Sequence, residues 1–293
     1  MSLFVVEEVF HKIYKIFLNG FFKKSLIRGK KTMSEAIKFV RNNLTYTISM
    51  IGLFALCAYV LAYKPHLGGL DVLKSTFFLF GLSLDTVILL WAISFFLLYR
   101  WYYTGRQSIS TLAWGLSFLV YSIVFIGLCL QALGIGWANS NDPVIFFIFR
   151  NVMILWAAGM WFGISNILTG NKVIRYGLTG LIVIASYIWF AYGLLVLADI
   201  EYTMYGFLFA VWIPISVTLG YAFYLYGTNT GLSSPKFLTV GFVLLAITYM
   251  AWAPWHFPDV SYIYFIWFFL FEISLVPILI GFILIPVERE IRR

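Results

Sequence analysis

Apolar runs of about 20 residues alternate with short polar turns along most of the chain. They fall at about 44–62, 75–98, 109–134, 144–167, 175–197, 204–225, 237–255 and 262–286. At ~1.5 Å per helical residue, each is about long enough to cross a hydrocarbon core of ~30 Å. The pattern predicts an all-α membrane bundle of eight transmembrane helices. Continuous runs of this length exclude a porin-like barrel, whose strands are ~10 residues of alternating character. The seventh run is the most crowded by breakers, with Pro254, His256 and Pro258 at its end.

Ahead of the runs, Phe10, Tyr14, Phe17 and Phe21 recur at helical spacing, with Ile13 and Leu18 alongside and Lys12, Lys15 and Lys23 between them. This is an amphipathic N-terminal helix suited to the membrane interface or to the ends of the bundle. A short helix near 34–42 then leads into the membrane. The chain divides into a basic amphipathic segment, 1–42, a transmembrane domain, 43–286, and a tail, 287–293.

One stretch recurs. Residues 81–105 return 65 positions later, so that Val87 meets Val152, Leu90 meets Leu155, and Trp91-Ala92 meets Trp156-Ala157. Thr104-Gly105 meets Thr169-Gly170, and Thr230-Gly231 occupies the matching place in a third copy. Ten residues beyond each Thr-Gly stands another glycine: Gly115, Gly180 and Gly241. This spacing predicts three parallel two-helix hairpin repeats, at about 75–134, 144–197 and 204–255. Gly105, Gly170 and Gly231 would end helices at positive φ, and the inner glycines would let helices approach closely. Gly159 and Gly163 add a small-xxx-small pair.

Composition agrees with the pattern. Only 11% of the 293 residues are charged and 62% are hydrophobic, with mean hydropathy +0.93. A soluble domain carries roughly 25% charged residues. The net charge of +8 is unevenly placed, since nine of the 20 basic residues precede residue 42. A basic segment abutting a span suits anionic lipid headgroups, and nucleic acid is not expected as a partner. If the N-terminus is cytoplasmic, 17 basic residues fall on that side and only Lys64 and Lys74 on the other. The opposite connections carry Asp71, Asp142, Asp199, Glu201 and Asp259. The positive-inside rule then places both termini in the cytoplasm of a multi-pass cell-membrane protein. No signal-peptide pattern is present in the first 42 residues.

Three ionisable residues lie inside the runs: Asp85, Arg150 and Glu272. Asp85 and Arg150 hold the same place in successive repeats. A charge within an apolar helix is costly against lipid, so all three are candidates for a substrate or ion pocket. The alternative is a buried Asp85–Arg150 pair that only fixes helix order. Two acids against one arginine leave a carboxyl that needs a proton or another partner. Pro214 and Pro277 interrupt the sixth and eighth runs, as kinks or as breaks that free carbonyl groups. His66 and His256 are a weak metal or haem pair, and Cys57 and Cys129 read as packing residues. Trp137, Trp255 and Tyr262 suit the aromatic belt. No metal, cofactor or catalytic residue is expected.

Opsin-like photochemistry is excluded, because the eighth run has no lysine for a Schiff base. No HExxH, P-loop or dinucleotide-binding glycine pattern occurs. Three readings stay open: a carrier of a small solute or ion, a non-catalytic subunit with a membrane-protein partner, and a seven-helix sensor with one extra span.

Overall fold

The computed structural model describes residues 76–103, 108–133, 143–197, 200–251 and 262–291. The amphipathic segment, the expected span at 44–62, His66, Gly105 and His256 lie outside them. The described residues form seven helical rods: α1, Thr76–Tyr103; α2, Ile109–Ala132; α3, Pro143–Leu168; α4, Val173–Leu197; α5, residues 200–230; α6, Ser234–Ala251; and α7, Tyr262–Ile291. The chain is a polytopic all-α membrane protein.

The eight-span expectation is corrected by these helices. Six of them, among the described residues, are long and apolar enough to cross a membrane. The apolar stretch of α6, Ser234–Met250, is shorter. Two rods are also less regular than the run lengths imply. α4 begins and ends in π-helical turns, Val173–Gly177 and Gly193–Leu197. α5 passes from Ile200–Phe207 through a π-helical turn at Leu208–Trp212 into Ile213–Thr230.

The three-hairpin repeat is corrected as well. α3 packs more extensively on α2 than on α4, its expected hairpin partner, and α6 packs most on α7. The aligned glycines serve different purposes. A Cβ at Gly115 would meet Leu98 of α1 at 2.9 Å. One at Gly241 would press on Ile278 and, at 3.0 Å, on the carbonyl of Ser274, both in α7 rather than α5. One at Gly180 would meet nothing within 4 Å. Gly231 adopts positive φ, 67°, whereas Gly170 does not. Glycine and Thr-Gly are common solutions to close packing and helix ending in membranes, and here they coincide in spacing without coincident surroundings.

Neighbour relations instead close a ring in the order α1–α2–α3–α5–α6–α7 and back to α1, with α4 outside it against α3 and the start of α5. Apolar side chains gain little by leaving lipid for a helix interface, so dispersion and interhelical hydrogen bonds hold such a bundle. Trp91 Nε1 donates to Ser122 Oγ at 2.9 Å, and Ser94 Oγ to the Gly115 carbonyl at 2.7 Å, tying α1 to α2. Trp114 of α2 donates to the Met160 carbonyl at 3.2 Å and lies against Gly163 of α3, where a side chain would collide with its indole. Its ring also meets Phe223 of α5 and Phe282 of α7. The α3–α5 contact is the thinnest in the ring. There Trp212 Nε1 donates to the Met153 carbonyl at 3.3 Å.

At one end of the bundle, α7 reaches back to the start of α6. Glu288 accepts from Ser233 N (2.8 Å) and Oγ (2.9 Å) and from Ser234 N (2.8 Å) and Oγ (2.6 Å). A carboxylate here satisfies free N–H groups and faces the positive end of the α6 dipole. Partial burial pushes the carboxyl's pKa up, but the hydrogen bonds from both serines outweigh it and bring it down to about 2. Arg175 performs the corresponding task after α3, donating to Asn166 Oδ1 at 2.7 Å and to the Gly170 carbonyl at 2.9 Å.

Candidate functional site

Asp85 lies about 14 Å along α1 and Glu272 about 15 Å along α7, both counted from the end opposite Glu288. α1 and α7 pack together, and both residues face the interior: Asp85 is 3% exposed and Glu272 7%. The two carboxyls are close enough to interact electrostatically, and Asp85 acts in the same way on Cys129 of α2. The Oε1 atom of Glu272 is buried with no hydrogen-bond partner among the described residues. Ser83 Oγ, on α1, is buried in the same condition.

Among the described residues, the buried polar and charged side chains are serines, threonines, Asp85 and Glu272; no lysine, arginine or histidine is in the set. Arg150 stands on α3, but its side chain lies outside the described positions, and so does the expected pairing with Asp85. The structure therefore brings together two of the three expected site residues. Among the described residues no group of three or more His, Cys, Asp and Glu side chains is placed to hold a metal ion. The two prolines differ. Pro214 stands two residues after the π-helical turn at 208–212, in the first turn of the helix that follows, whereas Pro277 sits inside the continuous α7.

No family model, curated protein or solved structure matches the chain.

One feature had no counterpart among the expected site residues. Five helices send aromatic side chains into a common cluster. Tyr121 of α2 touches Trp156 of α3, Trp212 of α5 and Phe271 of α7, with ring centroids 5.2–5.6 Å apart. Tyr249 of α6 closes the group at 4.6 Å from Trp212. Phe125, one turn before Cys129 on α2, stacks on Phe271 at 5.0 Å. Phe271 directly precedes Glu272 on α7. Trp156 is fully buried, and its indole N–H has no acceptor among the described residues. With 20% aromatic residues spread over every span, sequence alone offers no signal to single these five out.

Proposed function

We propose that the protein is a carrier that moves a small cation, a proton included, through a polar site held by Asp85 and Glu272, with Arg150 as its third charged group. The observation that carries this is that two buried carboxyls on the packed helices α1 and α7 lie within electrostatic reach of each other, one with an oxygen that has no hydrogen-bond partner among the described residues. Such a pair is costly for a purely architectural role, and a cation between the carboxyls relieves both repulsion and lost solvation. Cys129 of α2 faces Asp85, and Tyr121 and Tyr249 face each other beside Phe271. The break in α5, a π-helical turn followed by Pro214, supports the same reading, since interrupted helices accompany binding sites in transporters. The loop charges favour a cell-membrane location with both termini cytoplasmic.

The test is Glu272→Gln in reconstituted vesicles with an imposed pH gradient. The variant keeps the shape of the side chain and removes its titratable proton. We expect normal folding and loss of pH-dependent cation or proton flux. Unchanged flux at every pH would remove the proposal.

A non-catalytic subunit of a larger complex is favoured by one observation: α4 is the least buried of the described spans and turns Leu181, Ile184, Ile188 and Leu195 outward. Gentle solubilisation that recovers the chain only in a larger assembly would support that reading.

A further inference from the structure

We infer that the outward face of α4 seats an anionic phospholipid, its headgroup phosphate at Lys172 and its acyl chains along the stripe below. The inference is independent of the carrier reading and uses neither buried carboxyl. Gly177, Leu181, Ile184 and Ile188 recur at spacings of four, three and four, which sets them on one face of the helix. Lys172 stands just before the π-helical turn Val173–Gly177, at the head of α4. The described residues leave this face bare. Only 18% of Val173–Leu197 is buried among them, against at least 50% for each of the other five described spans. Leu181, Ile184 and Ile188 are each more than half exposed. A Cβ at Gly177 would meet only Val173 of its own turn, at 3.7 Å, so no described helix fills the space beside it. The far end of α4 is anchored. Trp189 Nε1 donates to the Thr203 carbonyl of α5 at 2.7 Å, and Gly193 lies against the Thr203 side chain. The bare stripe is therefore a fixed surface.

Exposure to lipid alone does not single out an occupant; charge does. Residues 143–197, which make up α3, α4 and the turn between them, contain no acidic residue. Arg175 is engaged by Asn166 and the Gly170 carbonyl, while Lys172 is exposed. A second copy docked on this stripe about an axis along the membrane normal would set Lys172 against its own counterpart, with no carboxylate from α3 or α4 on either side. An anionic lipid supplies the negative charge and covers the apolar stripe with the same molecule. Gly177, lacking a side chain, lets an acyl chain lie close to the backbone below the headgroup. In the orientation proposed above this end faces the cytoplasm, where the leaflet surface is negatively charged.

The test adds dioleoyl phosphatidylglycerol or dioleoyl phosphatidylcholine to the delipidated full chain in detergent and counts bound lipid by native mass spectrometry. We expect a retained phosphatidylglycerol, bound about fivefold or more tightly than phosphatidylcholine. Lys172→Gln should cost about fivefold in phosphatidylglycerol binding and leave phosphatidylcholine binding unchanged. Gly177→Leu, which adds a side chain into open space, should fold normally and weaken the phosphatidylglycerol complex. Equal retention of the two lipids, or phosphatidylglycerol retention unchanged by either variant, would overturn the inference. So would displacement of the lipid by inorganic phosphate at equal ionic strength, which marks a site for a free anion. Recovery of the chain as a dimer or in a larger assembly that Gly177→Leu disrupts would assign the stripe to a protein instead.

Discussion

At the scale of single residues, Glu288 is the most explicit contact outside the membrane-spanning segments. Its folded pKa, about 2, lies below the ordinary 4.5, so its stabilisation is complete above pH 4.5 and is lost as pH falls through 2. An N-terminal cap contributes about 1 kcal/mol, here reduced because the carboxylate is largely solvated. Glu288→Gln should therefore lower the unfolding midpoint slightly at pH 7, and the difference from the parent should shrink as the pH approaches 2; thermal melts at several pH values read it directly. Two glycines of equal spacing offer a sharper contrast. Gly241→Ala forces a methyl group onto the backbone of α7 and should cost about 1–3 kcal/mol. Gly180→Ala meets open space and should be neutral or stabilising by up to about 1 kcal/mol. Equal effects in a denaturation series would restore the idea that the two positions are equivalent.

At the scale of elements, α5 is the rod whose regularity fails in mid-span. The π-helical turn at Leu208–Trp212 leaves Trp212 buried and donating across to α3, and Pro214 keeps the helix from closing over the break. Pro214→Ala supplies a backbone donor where there was none. Amide exchange at residues 208–213 should slow, and flux should fall if the break is used in transport. Exchange unchanged from the parent would show that the turn is held by Trp212 rather than by the proline. The helix positions themselves were largely legible, because a 20-residue apolar run has few alternatives in lipid. The proline marked the break in α5, but not its form. A π-helical turn has no sequence signature as strong as a proline.

At the scale of the molecule, position along a rod was readable from sequence and neighbours were not. Counting residues placed Asp85 and Glu272 at similar depth, and the fold brings them together. Counting could not show that α6 packs more on α7 than on α5, or that α4 stands outside the ring, since both follow from side-chain fit between helices. Orientation has its own measurement. Single cysteines at Asp142 and Asp259 should label with an impermeant reagent in intact cells, and those at Arg106 and Lys172 should not; the opposite pattern inverts the topology. The closed order of helices also bears on how the chain is made. α1 emerges early, yet it gains Glu272 only when α7 has been synthesised, roughly 190 residues later. At ~5–20 residues per second, Asp85 spends about 10–40 s in the bilayer without its neighbour. A nascent chain of this kind carries an open flank that a holding factor or the insertion machinery must shelter, and a chain truncated before α7 should be degraded faster than the full one in a pulse-chase.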